Sequence, residues 1–191
     1  MNFCSRRFNL YLLAATLGLL ATSCAMWHRH RAFGAVLRIH LEAQANAGGA
    51  TKSISVMRSQ PMTFNISTDA ILTESDVSGA RLVDSPGGGF SVEVTFEETG
   101  GWKLEQYTAS NPDKHLAIFA QWSAKREDGR WLAAPYITRR IAGGVLTFTP
   151  DASHEEAEKL VAALNVDGKR NAGAKDDDMK DDINKDEKQF P

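Results

Sequence analysis

The side chains that could support acid–base or metal chemistry are scattered along this chain of 191 residues. Glu97 and Glu98 form an adjacent acid pair that could exchange protons, but they precede a predicted helix, where negative charge is favourable in itself. His40, His115 and His154 are isolated, and a lone histidine is more typical of a strand or a surface than of a ligand set. The H-E-x-x-H and G-x-S-x-G motifs are absent. We therefore predict no catalytic residue, no metal ligand and no cofactor.

Two further motifs have a chemical and a structural interpretation. The glycines at 87–89 lack the Lys-Ser/Thr pair that completes a phosphate-binding loop, and no helical pattern follows, so a hairpin turn is favoured. Arg139 and Arg140 stand next to each other in a segment that is predicted to be extended, which exposes one of them. A contact with an anionic partner is a hypothesis for this pair.

Three tryptophans lie near the ends of predicted elements: Trp102, Trp122 and Trp131. Packing in the core is the first interpretation, and a partner surface is the alternative, since tryptophan is enriched at binding hot spots. Trp122 and Trp131 flank one charged hairpin and could pair across it. We therefore predict an interaction surface made of Trp122, Lys125, Arg126, Arg130 and Trp131, with Glu127 between them.

The residues before Cys24 predict a covalent modification of its thiol. Arg6 and Arg7 form a positive segment, residues 10–20 are apolar, and residues 21–23 are small. This pattern resembles a bacterial lipoprotein signal, in which the cysteine is acylated and becomes the first mature residue. We predict a signal peptide at 1–23 and lipidation of Cys24, which would attach the protein to a membrane in the cell envelope, on the periplasmic side.

Other interpretations of the N-terminus remain open. The apolar run could be an uncleaved anchor, although a spanning helix needs roughly 20 apolar residues, or it could belong to an ordinary secretory signal. Ser5, Arg6 and Arg7 also resemble part of a twin-arginine signal. Under the lipoprotein interpretation, Ala25 after the cysteine favours the outer membrane over the inner one.

Composition limits the remaining function classes. Residues 1–23 hold two arginines and no acid, so the rest of the chain carries 24 acidic and 20 basic side chains. This balance differs from the basic stripe of a nucleic-acid-binding protein. The two cysteines are Cys4, inside the predicted signal, and Cys24, so the mature protein would have no disulfide. A domain of this size can be stabilised by its core alone.

The two ends of the mature chain differ from its middle. In the linker at 24–33, His28 and His30 could bind a metal, but a basic aromatic segment at the membrane surface is the simpler interpretation. The tail at 167–191 carries acids at 176–178 and 181–182 and few apolar residues, so we expect it to be disordered. Weak Ca²⁺ binding is the alternative, without the spacing of an EF-hand loop.

Residues 34–166 have the pattern of one α+β domain. Alternating apolar residues predict strands, and helical spacing predicts two helices, one over 99–110 and one that Ser153 and Glu156 begin as a capping box. The predicted strands cover 36–42, 53–58, 62–66, 80–84, 90–96, 116–122, 131–141 and 145–149. This order predicts a mixed, mostly antiparallel sheet with helices packed on one face.

An ordered series of motifs resembles a known family. The segments at 72–77, 80–83 and 90–96, followed by a helix that ends at Tyr107-Thr108, are similar to the first periplasmic (head) domain of the SecD/SecDF translocase subunit. The series continues through segments at 114–118, 134–137, 141–144, 148–150 and 155–160. The resemblance implies that fold and a link to protein translocation. No transmembrane helices follow in this sequence, so it implies no proton-driven motor.

Two function classes follow, and neither is an enzyme. The first is a binding module that contacts unfolded or translocating polypeptide, or the translocase itself, and it predicts exposed aromatics and an open sheet edge. The second is a structural or envelope-maintenance lipoprotein with no link to export. An enzyme is a third class, which would need a cluster of titratable groups.

Overall fold

The computed structural model describes residues 33–44, 50–58, 60–85, 88–123 and 129–187, with side chains described up to residue 175. Cys24, the signal segment and most of the linker lie outside these residues. The strands are β1 (Val36–Glu42), β2 (Thr51–Val56), β3 (Met62–Thr73), β4 (Val77–Asp84), β5 (Phe90–Phe96), β6 (Leu116–Gln121), β7 (Arg130–Ala133) and β8 (Val145–Phe148). The helices are α1 (Glu98–Ser110) and α2 (His154–Glu187), and a 3₁₀ turn covers Glu74–Asp76.

The strands divide between two antiparallel sheets. One has five strands in the order β2-β3-β1-β6-β7, and the other has three in the order β4-β5-β8. The predicted α+β class, with antiparallel strands and two helices, is confirmed, while the single predicted sheet is replaced by two. The predicted hairpin is also confirmed, since β4 pairs with β5 from Asp84↔Phe90 to Val77↔Phe96.

One core lies between the two sheets and the helices. On β1, Leu37 and Ile39 are fully buried, while Arg38 and His40 point to the other face, as alternation along a strand requires. The helices contribute apolar side chains at helical spacing to the same core: Leu104, Ala157, Leu160 and Leu164. The helices therefore share one core with side chains of both sheets.

The opposite face of the five-stranded sheet is curled. Its two edge strands, β2 and β7, approach each other although three strands separate them in the hydrogen-bonded order. A second apolar cluster fills the concave side: Ile54, Val56, Ile66 and Ala117. Partly buried Trp131 and Phe64 pack against this cluster.

The predicted capping box at Ser153 and Glu156 is present, and the structure has another at the 3₁₀ turn. At the 3₁₀ turn, the Thr73 N–H donates to Asp76 Oδ2 over 2.9 Å. At α2, the Ser153 N–H donates to Glu156 Oε2 over 2.8 Å, and the Glu156 N–H donates to Ser153 Oγ over 3.2 Å. Each box satisfies N–H groups that have no partner within the helix.

The largest errors in strand length concern β3 and the segment at 131–141. β3 continues to Thr73 rather than ending at 66, and register shifts in its pairing with β1 disturb the alternation that would have revealed it. The predicted strand at 131–141 ends at Ala133. The segment after it makes isolated backbone hydrogen bonds with the residues before β6 and does not continue the ladder of the sheet. One of these is the Ile137 N–H donating to the Lys114 carbonyl over 2.8 Å.

The predicted disordered tail needs correction at its start. α2 continues past residue 166 to Glu187, and its second part contacts the rest of the fold through polar side chains. Just before this part, Asn165 accepts from the Ala80 N–H over 2.9 Å and donates to the Ala80 carbonyl over 3.0 Å. Asn171 donates to the carbonyls of Glu74 and Val77 over 3.0 and 2.7 Å. The low apolar content of this part of α2 therefore did not indicate disorder, because its polar side chains form hydrogen bonds with backbone groups of the fold.

Asp167 of α2 binds the backbone at the start of the domain. Its Oδ2 accepts the Ala35 N–H over 2.7 Å, and a Cβ on Gly34 would overlap the same carboxylate. Burial raises the pKa of Asp167, against the lowering effect of the Ala35 N–H and of Arg170. The entry into β1 is thus fixed by a residue 132 positions later in the chain.

We predict that Gly168→Ala destabilises the fold although alanine favours helix. A Cβ at 168 would overlap the Ser78 carbonyl oxygen where α2 crosses β4, and overpacking of this kind costs about 1–3 kcal/mol. The matched control is Gly173→Ala in the same helix, where nothing lies within 4 Å of the added Cβ. There we expect a gain of about 0.5–1 kcal/mol from helix propensity. Denaturant unfolding of both variants measures the difference, and equal effects would contradict the close approach.

Candidate functional site

The described members of the predicted interaction surface, Trp122, Arg130 and Trp131, do not share one surface in the structure. Lys125 and Arg126 lie outside the described residues. Trp122 is 8% exposed and packs in the main core. Trp131 packs on the concave face, with ring centroids 5.4 Å from Phe119 and 5.5 Å from His40. The expected pairing of the two tryptophans is wrong, because they lie in separate clusters on opposite faces of the sheet.

Arg130 is bound within the fold. Its guanidinium lies 4.8 Å from the centre of the Trp122 ring, donates to Glu156 Oε2 over 2.8 Å and donates to the Asp151 carbonyl over 3.2 Å. Arg58 joins the same group, since its backbone N–H donates to Asp151 Oδ2 over 2.7 Å. These contacts connect β7, the start of α2 and the β2–β3 hairpin. Arg130 is therefore a stabilising residue.

An open sheet edge runs along β8. The Phe96 N–H donates to the Gly144 carbonyl over 2.8 Å, and the register continues as Val94↔Leu146 and Val92↔Phe148. Hydrogen-bonded pairs alternate along an antiparallel ladder, so the N–H and C=O groups of Val145 and Thr147 point away from β5. Among the described residues, these outward groups have no hydrogen-bond partner.

A groove follows this edge, and we call it the edge groove. Two adjoining depressions of about 510 and 340 Å³ share Thr147 as a lining residue. One wall is β8 and the residue after it. The other wall is the segment at 133–142. This segment is fixed from behind, where the Ile141 N–H donates to Thr108 Oγ1 over 2.9 Å.

The edge groove offers apolar, aromatic and cationic contacts. Met57 and Tyr136 line it and are 36% and 49% exposed. The Tyr136 hydroxyl donates to Asp113 Oδ1 over 3.0 Å, and this bond raises the pKa of Tyr136. Arg139 and Arg140 line the larger depression outside any strand, and Arg140 pairs with Glu105 over 3.1 Å.

The most exposed large apolar side chain of the described residues is on α1. Trp102 is 64% exposed, whereas Leu104 and Thr108 of the same helix are buried. The first interpretation of Trp102 as a core residue is therefore wrong. The helical spacing around it did not reveal this, because Gly100 and Gly101 occupy the buried side and carry no apolar side chain to mark it.

The titratable residues considered for chemistry have structural contacts. Glu97 pairs with Lys175 over 2.6 Å next to the start of α1. His115 pairs with Glu42 over 2.7 Å, and His154 lies 3.5 Å from Glu158. Within the described ranges, no three His, Cys, Asp or Glu side chains are grouped as a metal site would need. The same ranges contain no helix with the length and hydropathy to cross a membrane.

The edge groove could not be located from the sequence. An open sheet edge and the strand β8 were both expected, but which backbone groups of β8 point outward depends on the strand that β8 pairs with. The signals that were available are Gly143 and Gly144, both with positive φ, which turn the chain into β8. Gly144 also packs closely against Gly101 of α1: a Cβ added to Gly101 would lie only 3.1 Å from the Gly144 Cα.

Comparisons with known proteins agree on one similarity. Residues 51–168 match the family described as SecDF, P1 head subdomain. The protein translocase subunit SecDF of Thermus thermophilus is 35% identical over 94 residues, which cover 49% of this chain and 12% of that protein.

Solved structures give the same similarity. One is a structure of SecDF, a membrane component that enhances protein export. It is 25% identical with a TM-score of 0.50, over 71% of this chain and 64% of that chain. A SecDF crystal structure in a super-membrane-facing form is 19% identical with a TM-score of 0.45, over 83% of this chain and 33% of that chain.

We predict that Arg130→Met lowers the free energy of unfolding by about 1–3 kcal/mol, as loss of hydrogen bonds to a charged partner does. The bond from Arg130 is the main reason that the pKa of Glu156 is lowered. The pair therefore stabilises the fold above the ordinary glutamate pKa, and that contribution disappears as the pH falls through the lowered pKa. The difference between wild type and variant should shrink on acidification.

The control for this prediction is Arg139→Met. Arg139 is exposed and makes no hydrogen bond or ion pair with the part of the chain that the structure describes, so we expect a change within about 0.5 kcal/mol. Denaturant unfolding between neutral and acidic pH measures both variants. A pH-independent loss in Arg130→Met would contradict the role of its charge.

Proposed function

The chain belongs to the SecDF P1 head subdomain family, and from that premise we propose that it is a non-enzymatic envelope module linked to protein translocation, which binds extended polypeptide. The relative's name supports the link to translocation, since that protein is a protein translocase subunit. This chain spans 12% of that relative's length, so the proposal concerns a binding role of the head subdomain and not the activity of the whole translocase subunit.

The open edge of β8 is the observation that carries the proposal. An extended polypeptide can add a strand to an exposed edge, because its backbone supplies the missing hydrogen-bond partners. Val145 and Thr147 offer two outward N–H and C=O pairs in the edge groove. Backbone pairing depends little on sequence, which suits a module that meets many different unfolded chains. Met57 adds an adaptable apolar contact.

We also propose that Cys24 carries a lipid that holds the module on the periplasmic side of the envelope, with the outer membrane favoured by Ala25. The support is the signal pattern at 1–23. Strand addition makes and breaks only hydrogen bonds and apolar contacts, so the proposed role includes no catalytic step.

A structural or envelope-maintenance role, unrelated to export, is the second candidate. The observation in its favour is Trp102, which is 64% exposed on α1. An exposed tryptophan on a helix suits contact with a folded partner. The two roles differ in what they need: strand addition needs the β8 backbone, whereas a folded partner would need the α1 surface.

We predict that Thr147→Pro weakens binding of a permanently unfolded reporter chain by about two- to tenfold, the equivalent of one hydrogen bond. Proline removes the outward N–H at an edge position and leaves the ladder to β5 intact. The control is Thr147→Val, which keeps the N–H and changes only the exposed side chain. Fluorescence anisotropy measures the affinities, and thermal unfolding checks that both variants fold. Equal binding by the two variants would exclude strand addition at β8.

A second prediction concerns the cellular partners. We expect crosslinking and pull-down of the full-length protein to recover translocase subunits or nascent exported chains, and the Cys24→Ser variant, which lacks the lipid, to lose them. A Trp102→Ala variant should retain them. Recovery of envelope components alone, lost in Trp102→Ala, would instead support the structural role and end the export proposal.

A further inference from the structure

A separate depression lies on the concave face of the five-stranded sheet, and all five strands contribute to it. Its volume is about 270 Å³. Its lining residues are Arg38 and His40 from β1, Lys52 from β2, Ile66 and Thr68 from β3, Phe119 from β6 and Trp131 from β7. The edge groove shares none of these residues. A ligand here would contact none of the residues that line the edge groove.

The wall of this depression is apolar. Phe119 and Trp131 face each other across the β6–β7 pair, with ring centroids 5.4 Å apart at an interplanar angle of 67°. Ile66 belongs to the buried cluster beneath them. A partly exposed apolar wall of two aromatic rings gains free energy when a ligand removes it from water.

His40 keeps the centre of the depression neutral. A carbonyl oxygen only accepts hydrogen bonds, so the 2.9 Å contact with the Ser67 carbonyl places the proton on His40 Nδ1. Burial lowers the pKa of His40 against the raising effect of the hydrogen bond to Ser67. Arg38 and Lys52 lower this pKa further, and Asp69 raises it. Its ring packs edge-on against Trp131.

Cationic groups lie at the rim. Arg38 Nη1 is paired with Glu74 and donates to the Leu37 carbonyl over 2.8 Å, but the other two guanidinium nitrogens have no partner among the described residues. Lys52 is exposed and makes no ion pair with any of those residues. The acids nearby are Glu74, which Arg38 already engages, and Asp69. Donors from β1 and β2 thus remain available beside an apolar wall.

We propose that this concave depression binds an anionic amphiphile, with its apolar chain against Phe119 and Trp131 and its carboxylate or phosphate at Arg38 and Lys52. The apolar wall would contact the hydrocarbon chain of the ligand, and the unpaired donors at the rim would bind its anionic group. Two sources share this chemistry, a free fatty acid and an anionic phospholipid of the membrane. The small volume admits one acyl chain or part of one.

The test uses the full chain with Cys24→Ser, so that no attached lipid competes. Decanoate is the probe, and decanol is its uncharged counterpart. We expect saturable binding of one decanoate by calorimetry, weaker binding of decanol, and quenching of Trp131 fluorescence by a brominated decanoate that Trp131→Phe removes. Vesicles of anionic phospholipid distinguish the sources: competition between vesicles and decanoate identifies the membrane lipid, and binding of decanoate alone identifies the free acid.

The matched variants change one charge each. Lys52→Gln removes the rim ammonium, and we expect about a fivefold loss of decanoate affinity, the upper range for an exposed ion pair. Lys169→Gln removes the same charge on the exposed side of α2 and should bind as wild type. Equal affinity in both variants, or no saturable decanoate binding, would overturn the proposal. Binding of an acidic apolar peptide without binding of decanoate would also overturn it, in favour of a peptide site.

Discussion

The close approach of α2 to β4 at Gly168 is the constraint on which the rest of the structure depends. With no Cβ at 168, the helix can lie against the Ser78 carbonyl, and its neighbours then reach backbone groups that would otherwise be unsatisfied. Asn165 serves both polar groups of Ala80, and Asp167 serves the N–H of Ala35. One helix thereby holds the start of β1, in the five-stranded sheet, and β4, in the three-stranded sheet.

Holding two separate sheets together has a functional consequence, because separate sheets leave edges unpaired. β8 is an edge strand with its outward groups in the edge groove, and the curled five-stranded sheet leaves a concave depression on its other side. The proposed polypeptide and amphiphile sites therefore arise from the same arrangement of strands but share no residue.

Arg130 and Trp131 show why neighbours in sequence can have unrelated roles. Alternation along β7 directs Arg130 to the core side, where it stabilises the contact between β7 and α2, and directs Trp131 to the concave face. Both residues were predicted to share a surface with Trp122 because all three lie around one charged hairpin. Proximity in sequence predicted a common surface. Because side chains alternate between the two faces of a strand, the predicted members lie on opposite faces.

Local patterns determined much of this protein. Alternation defined β1 and β5, the spacing of Ser153 and Glu156 predicted the start of α2, and the ordered motifs predicted the family. These features depend on neighbours within a few residues. Only the tertiary structure decided that the strands form two sheets, that Trp102 is exposed and that α2 continues beyond residue 166. Each of these outcomes depends on contacts between distant segments, such as Asn171 with Val77, whose residues carry no local pattern that marks the partner.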